Sequence, residues 1–364
     1  DEWRGVGVSY RAVATEQENP VYTFPNSNKK FLSLNLKAPE GKKVMLDLLR
    51  TADVFLTNVR MKSLLKLGLG YEELKELNPA LIYCHFTGFG SKGPEASRPG
   101  FDVAAFWAKG GLMADLPFEG DYPLKPAGAI GDSIVSGSVL NGVLTALLAR
   151  YKTGKGTMVT TSLYQNAIWV NGTNVITAQK MYGNRYPKSK TVPDDPISFI
   201  YRCKDGEWIT TAVVDYNGNW EKVCKAFGIG EYVNDPRFST EAAVLSNPEH
   251  VRELSRLIRE SFLTKDSEEW CRILTEADIV FSKASHIQDI ATDEQAWANG
   301  YLEHVTFPSG TTVAMPRLPV QFSEYGMKDY EPTGAVGRDS AEVLRDMGYS
   351  EEEIRSMRQE GIVR

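Results

Sequence analysis

The sequence predicts an α/β fold with a parallel sheet, followed by a smaller α+β region. Strand-like and helix-like segments alternate through the first half of the chain, whereas a hairpin pattern and charged amphipathic helices replace them from about residue 190. Strand character returns near residue 301. Alternation of this kind indicates a parallel sheet, because each helix carries the chain back across the sheet before the next strand begins.

In the first half, short apolar runs predict strands and amphipathic runs predict helices. Pro39 is suited to the first position of a helix because proline lacks the amide hydrogen that this position leaves unpaired. The predicted strands are residues 31–36, 53–59, 80–86 and a run from 158, and the predicted helices are 39–52, 61–68, 71–79 and a long one after Asp132. A Gly- and Pro-rich loop follows the third strand.

The second half of the chain has a different sequence pattern. Two strand-like runs within 197–214 are joined at Lys204-Asp205-Gly206, a hairpin turn signal. Charged amphipathic helices are predicted at 248–263 and 267–277, strands within 301–315, and a helical tail over 340–359.

Composition narrows the classes of function. The chain has 364 residues, enough for two domains, with 42% hydrophobic residues and a net charge of −6. Without a basic run, nucleic acid is not expected as a partner, and no apolar run is expected to reach the length needed to cross a membrane. The first residues resemble no secretory signal. Four scattered cysteines (Cys84, Cys203, Cys224 and Cys271) indicate a reducing cytoplasm, and no metal-ligand spacing is present.

Common phosphate and thiol motifs are absent or weak. The "TGKG" run has too few residues before its lysine for a phosphate-binding P-loop, and no GxGxxG follows a strand. The neighbours Cys84 and His85 do not form a nucleophile and its base, because adjacent residues of a strand point to opposite faces. Cys84 is interpreted as a core residue.

Asp132 is the only acidic residue in the segment "AGAIGDSIVSGSVLNGVLTALLARYKTGKG", residues 127–156. One interpretation is an N-cap, since an aspartate before a helix commonly accepts the first amide hydrogens. The other is chemistry, because an ionised carboxylate at this position can attack an activated acyl group. Gly131 would leave room for the substrate. Both interpretations are open at this point.

Six segments together resemble the class III coenzyme A transferases, the group of the formyl-CoA:oxalate and carnitine CoA-transferases. They are "NSNKKFLSLNLKAPEGK", "ADVFLTNVR", "LLKLGLGYEELKELNPALIYCHFTGFGSKGP", "RPGFDVAAF", "GAIGDSIVSG" and "YKTGKG", in family order along nearly the whole chain. The segments "TNVR", "YRCKDGEWI" and "DEQAWAN" are most similar to the (R)-2-hydroxyacyl-CoA transferases of amino-acid-fermenting anaerobes, whose typical acids are phenyllactate and 2-hydroxyisocaproate.

The resemblance implies a role for Asp132. In the family, the aspartate at this position is the nucleophile, which attacks the donor thioester to give a mixed anhydride and then an aspartyl-CoA thioester. No metal or tightly bound cofactor is implied, and coenzyme A enters as acyl-CoA substrate.

The resemblance also implies coenzyme A contacts. They are Leu34, Lys37, Asn58, Val59, Lys66, Leu67 and Arg98.

The implied fold is a Rossmann-like large domain, a small α+β domain and an interlocked, ring-like homodimer. We expect the large domain to comprise residues 1–185 and 300–364, and the small domain residues 190–299. An N-terminal strand–loop–helix unit of the family is expected to be missing from this sequence. The glycine-rich loop that covers the nucleophile in oxalate-type members has no counterpart at 185–195, so another segment is expected to cover it.

Two alternatives differ in chemistry. An α-methylacyl-CoA racemase shares the fold but needs two bases beside the α-carbon. Racemases keep a "GHD" run where this chain has Gly100-Phe101-Asp102, so the matching base is absent. A regulatory paralogue that binds coenzyme A without catalysis is the second alternative, and Asp132 argues against it.

Overall fold

The computed structural model describes all 364 residues as a mixed α/β protein. Its eight strands form a three-stranded sheet in the order β1-β2-β3, a second in the order β4-β5-β6, and a β7-β8 hairpin. The strands are β1 Val54–Thr57, β2 Ile82–Thr87, β3 Thr157–Ser162, β4 Ile200–Arg202, β5 Trp208–Ala212, β6 Val280–Lys283, β7 Leu302–Thr306 and β8 Thr312–Pro316.

Strands β1 and β2 run parallel, with Val54 opposite Ile82 and Thr57 opposite His85. Both strands therefore end at the same edge of the sheet, and the loops that leave this edge carry several of the predicted site residues. The other two sheets pair antiparallel strands.

Seventeen α-helices, two 3₁₀ turns and one π-helical segment make up the rest of the regular structure. The helices are α1 Trp3–Val6, α2 Pro20–Asn26, α3 Pro39–Thr51, α4 Met61–Leu67, α5 Tyr71–Leu77, α6 Leu112–Asp115, α7 Ile130–Thr153, α8 Leu163–Val170, α9 Gly172–Thr177, α10 Tyr216–Ala226, α11 Glu241–Leu245, α12 Pro248–Phe262, α13 Ser267–Glu276, α14 Ile287–Ile290, α15 Glu294–Ala298, α16 Ser340–Asp346 and α17 Glu351–Gln359. The 3₁₀ turns are Gly7–Tyr10 and Gly230–Tyr232, and the π-helix is Val103–Ala108.

The chain divides into two units that interleave in sequence. The first comprises residues 1–85, 141–160 and 286–364, and the second comprises residues 86–140 and 161–285. In the first unit, one core lies around β1, β2 and helices α3 to α5, and another around the C-terminal helices. In the second unit, a large aromatic core fills the β4-β5-β6 region, and a smaller core surrounds the π-helix. The domain division expected from the sequence stays a prediction.

Most of the predicted elements are confirmed, including the hairpin of β4 and β5 and the helices α12 and α13. The strand predicted over residues 31–36 is wrong. Only Leu34 forms an isolated bridge, with Val363, and the amide of Phe31 donates to Asp339 Oδ2 at 2.7 Å. Because side-chain and terminal groups take the place of a partner strand, this extended segment joins no sheet.

Helix α7 contradicts the expectation that no apolar segment is long enough to cross a membrane. By length and composition it could cross a membrane, and only 11% of its most apolar 18-residue window is buried. The prediction that no apolar segment reaches this length is therefore wrong. One such helix is weak evidence for a membrane span, because helices of soluble proteins pass the same test.

Candidate functional site

The candidate site is built on the loop that follows β2, within the second unit. A glycine pair draws the two ends of this loop together: a Cβ on Gly88 would lie 2.8 Å from the Cα of Gly100, far inside contact distance. Any larger residue at either position would push the loop apart. The chain then passes Asp102 and enters the π-helix, a form that is rare and frequently found at functional sites.

The π-helix anchors Asp102. Ala105, Phe106 and Trp107 are buried in the smaller core of the second unit, which holds the start of this segment in place. Asp102 itself is buried, with 8% of its surface exposed. Its Oδ2 accepts a hydrogen bond from the amide of Gly131 at 3.2 Å, and its Oδ1 has no partner.

Gly131 fits closely between Asp102 and Phe106. A Cβ at residue 131 would lie 2.2 Å from Asp102 Oδ1 and 2.5 Å from Phe106 Cγ, distances that real Cβ atoms do not reach. The idea that Gly131 leaves room for a substrate is therefore wrong. The space beside its Cα belongs to Asp102 and Phe106, so glycine is required for packing.

Asp132 lies in the first turn of α7, because the helix begins at Ile130, before the aspartate. The first backbone bond of the helix runs from the Ser133 amide to the Ala129 carbonyl at 3.0 Å. The prediction that Asp132 precedes the helix as its N-cap is wrong, since Asp102 accepts the Gly131 amide instead. The Asp132 side chain is left exposed and without a hydrogen-bond partner.

The two carboxyl groups influence each other. Although Asp132 is exposed as a residue, surrounding protein desolvates its carboxylate in part, and the charge of Asp102 repels it; together they raise the pKa of Asp132 to about 6. Burial also raises the pKa of Asp102, against the effect of the Gly131 and Asp132 amides, which stabilise its charged form. A carboxylate that has no hydrogen-bond partner and ionises near neutral pH has the properties of a nucleophile.

Two predicted coenzyme A contacts follow β1 in the first unit. Asn58 and Val59 are exposed at the edge where β1 and β2 end. The Val59 amide donates to Thr57 Oγ1 at 3.1 Å, and the buried His85 places Nε2 3.0 Å from the Val59 carbonyl oxygen. This loop is therefore held from two sides. Parallel sheets commonly bind ligands at this edge.

Four more predicted contacts lie elsewhere in the first unit. Leu34 and Leu67 are half-buried and pack against separate cores, whereas Lys37 and Lys66 are exposed. The two lysines form no ion pair within 4.0 Å, which leaves their ammonium groups open to solvent and anions. These assignments stay predictions.

Arg98 lies in the second unit, as Asp132 does. Its guanidinium forms an ion pair with Glu95 and lies 4.9 Å from the centre of the Phe89 ring. Lys109 pairs with the same Glu95 carboxylate at 2.9 Å. A phosphate contact by Arg98 would therefore compete with Glu95, and the assignment stays a prediction.

Two residues with a role in this geometry were not singled out from the sequence. His85 was considered only beside Cys84, and Asp102 only as part of the Gly100-Phe101-Asp102 run. Cys84 is fully buried and burial raises the pKa of its thiol, which confirms its interpretation as a core residue. The only sequence signal for Asp102 is an acidic residue directly after a Gly/Pro-rich loop.

The segment over residues 185–195 lines a cavity of about 580 Å³ within the second unit. Lys188 pairs with Asp194 at 2.7 Å and lies 4.4 Å from the centre of the Tyr186 ring. Phe118 and Phe199 form part of the apolar wall. Asp132 is not among the residues that line this cavity.

The known proteins to which the chain is similar are CoA-transferases. The family described as CoA-transferase family III matches residues 1–340. The chain is 38% identical to the (R)-2-hydroxy-4-methylpentanoate CoA-transferase of Clostridioides difficile, over 100% of this chain and 90% of that protein. It is 36% identical to the cinnamoyl-CoA:phenyllactate CoA-transferase of Clostridium sporogenes, over 94% and 83%. It is 30% identical to formyl-CoA:oxalate CoA-transferase of Escherichia coli, over 93% and 85%.

Solved structures agree with the sequence comparison. A CAIB/BAIF family protein from Brucella suis superposes with a TM-score of 0.74 at 25% identity, covering 90% of this chain and 84% of that one. A protein from Mycobacterium tuberculosis superposes with a TM-score of 0.75 at 25% identity, over 86% and 83%.

Proposed function

Because the chain belongs to the family III CoA-transferases, and is therefore an enzyme of the CoA-transferase type, we propose that Asp132 is its nucleophile and an (R)-2-hydroxy acid its acceptor. One observation carries the assignment of Asp132. Its carboxylate is exposed and free of hydrogen bonds at a helix N-terminus, where most aspartates are engaged as caps.

The reaction proceeds through two kinds of intermediate. The Asp132 carboxylate attacks the thioester carbonyl carbon of the donor, and the C–S bond breaks to give a mixed anhydride and CoA thiolate. The thiolate attacks the Asp132 carbonyl carbon, so that the donor acid leaves as its carboxylate and an aspartyl-CoA thioester remains. The acceptor carboxylate then attacks the carbonyl carbon of this thioester, and the C–S bond breaks to give a second mixed anhydride and CoA thiolate. The thiolate attacks the acceptor carbonyl carbon of this anhydride, which forms the new acyl-CoA and releases Asp132 as its carboxylate. These steps restore Asp132 and consume no proton.

The substrate class rests on the relatives. The two that are 38% and 36% identical act, by their names, on 2-hydroxy-4-methylpentanoate and phenyllactate, both of which carry an apolar group beside the hydroxyl-bearing carbon. The oxalate enzyme is less similar, at 30%. We therefore expect acceptors with an apolar β-substituent.

Asp132→Asn tests the nucleophile. An amide is a poor nucleophile, so this variant should lose turnover by several orders of magnitude while folding normally. Asp289→Asn is the matched control, because Asp289 is also an exposed first-turn aspartate, in α14. Acyl-CoA with hydroxylamine should inactivate the wild type and leave a hydroxamate on residue 132, located by peptide mass spectrometry. A near wild-type rate for Asp132→Asn, or a label elsewhere, would overturn the assignment.

A panel of acids tests the substrate class. Purified protein is supplied with several acyl-CoA donors and with the R and S forms of aliphatic and aryl 2-hydroxy acids. We expect exchange with R acids only. Exclusive use of oxalate, formate or carnitine would contradict the proposed class. Racemisation of a 2-methylacyl-CoA would support the racemase alternative, for which Phe101, 75% exposed, offers no second base.

We also propose that the enzyme is a homodimer in the cytoplasm. Helices α7 to α9 carry exposed apolar side chains: Leu140 is 52% exposed, Leu144 53%, Leu148 61% and Trp169 82%. Exposed apolar side chains of this size and number are costly in water and are typical of a protein–protein interface. The four cysteines are unpaired and three are buried, as suits a reducing compartment. The interlocked arrangement rests on the family resemblance.

A further inference from the structure

We infer that Asp102 is a positioning residue for Asp132: it caps α7 from a neighbouring segment, so that the carboxylate in the first turn of the helix stays free to react. The inference rests on the proposed function of Asp132 and adds a second residue to its chemistry.

Asp102 takes the place of a local cap at the start of α7. Four amide hydrogens at a helix N-terminus lack partners within the helix, and an aspartate nearby normally accepts one or two of them. Here Asp102 Oδ2 accepts the Gly131 amide at 3.2 Å, and the Asp132 amide also stabilises the Asp102 carboxylate. The amides that would normally donate to the Asp132 side chain in its own helix are thus already engaged by Asp102.

Asp102 lies in a buried and closely packed environment. It is 8% exposed and starts the π-helix, whose next turn is buried. Gly131 packs so closely against Asp102 Oδ1 and the Phe106 ring that no side chain would fit between them. This contact closes the loop of 28 residues between Asp102 and Gly131. The start of α7 is therefore capped by a buried residue that lies far from the helix in sequence.

The charge of Asp102 acts on Asp132. No other titratable residue lies on α7 before Arg150, and the π-helix contains none. In the same core, α8 contributes Tyr164, α6 ends at Asp115, and Lys109 is paired with Glu95. Asp102 is the one charged group that acts on Asp132, and the repulsion disappears when Asp132 becomes an anhydride or thioester. Formation of the covalent intermediate therefore relieves a like-charge repulsion.

Two substitutions separate the cap from the charge. Asp102→Asn keeps an oxygen for the Gly131 amide but removes the charge, whereas Asp102→Ala removes both. Asp215→Asn is the matched control, because Asp215 Oδ1 caps α10 at 3.0 Å from the Gly218 amide, away from this core. All three are compared with the wild type for folding by circular dichroism.

The first readout needs no turnover. A carbodiimide with an amine nucleophile labels protonated carboxyl groups, and peptide mass spectrometry gives the labelling rate of residue 132 against pH. In the wild type the midpoint should lie near 6. In Asp102→Asn it should fall by about half a pH unit or more, while remaining above the ordinary value of 3.8, because desolvation persists. Asp215→Asn should match the wild type.

The second readout is steady-state kinetics. In Asp102→Ala the amides lose their acceptor and the Asp132 carboxylate becomes the nearest replacement, so kcat should fall about 100-fold with little change in KM for acyl-CoA. Asp102→Asn should retain most of kcat at pH 8. An unchanged labelling midpoint in Asp102→Asn, or a wild-type rate in Asp102→Ala, would overturn the inference. Loss of the hydroxamate on Asp132 in the wild type would instead overturn the proposed function.

Discussion

His85 Nε2 lies 3.0 Å from the carbonyl oxygen of Val59, which ties the end of β2 to the loop after β1. The ring is buried at 2% exposure, and its other nitrogen has no partner. A buried histidine in this position holds the Val59 carbonyl, and with it the exposed loop that we predict to bind coenzyme A.

Replacement of His85 should weaken acyl-CoA binding more than it slows chemistry. In His85→Leu the hydrogen bond is lost, and KM for acyl-CoA should rise about 2- to 10-fold, since such a bond contributes about 0.5–1.5 kcal/mol. In His85→Gln the side-chain amide can replace Nε2, and KM should stay near the wild-type value. Initial rates over a range of acyl-CoA concentrations give both constants. Equal KM values in the two variants would contradict this role.

The pH dependence of activity should follow the ionisation of Asp132. Its pKa is raised to about 6, so kcat/KM should be level above pH 7 and fall about tenfold per pH unit below about pH 6. The fall occurs on the acidic side because only the ionised carboxylate is nucleophilic. Rates are measured in buffers of constant ionic strength, with activity after return to pH 7.5 as the control for unfolding. An acidic limit near pH 4 would contradict the prediction.

The same shift predicts how Asp132→Asn affects stability. A carboxyl group with a raised pKa in the folded state favours folding in its protonated form, so its ionisation opposes folding as pH rises from 3.8 to about 6. Asp132→Asn removes this opposition. Above pH 6 the melting temperature of the variant should therefore equal or exceed that of the wild type. Near pH 4 the two melting temperatures should be the same. Thermal unfolding at both pH values checks this, and a clear loss of stability at pH 7 would indicate a structural role.

Gly131 is predicted to tolerate no side chain. In Gly131→Ala the new Cβ would meet Asp102 Oδ1 at 2.2 Å and Phe106 Cγ at 2.5 Å, so the cap must open or the core must shift. We expect a loss of about 1–3 kcal/mol in the free energy of unfolding, the usual range for overpacking, together with a large loss of turnover. Gly230→Ala is the control, because no atom lies within 4 Å of a Cβ at that position. Equal stability of the two variants would refute the close fit.

The sequence predicted the elements whose cause is local. Helix α12 was found from its apolar periodicity, and the turn at Lys204-Asp205-Gly206 from its residue types. The sequence also pointed to Asp132, but the predicted N-cap role for it is wrong. The residue at which a helix begins depends on which group accepts its first amide hydrogens. Here that acceptor is Asp102, distant in sequence. The strand expected at 31–36 failed for a similar reason, since a strand needs a partner that the segment itself does not specify.

The exposed apolar face of α7 predicts that the chain assembles through this helix. Leu144→Glu places a charge on a surface that we propose to be covered by a second copy of the chain, whereas Leu245→Glu places the same charge on α11, at a similarly exposed leucine. Leu144 is 53% exposed and Leu245 49%, so burial within one chain does not distinguish them. Sedimentation should show a dimer for the wild type and for Leu245→Glu, and a smaller or aggregated species for Leu144→Glu. Since interfaces of interlocked chains bury on the order of several thousand Å², dilution of the wild type to nanomolar concentration should not dissociate it. Flotation with lipid vesicles distinguishes the other possible partner of an apolar helix: a wild-type protein that is monomeric and floats with the vesicles would assign this face to a membrane and overturn the dimer.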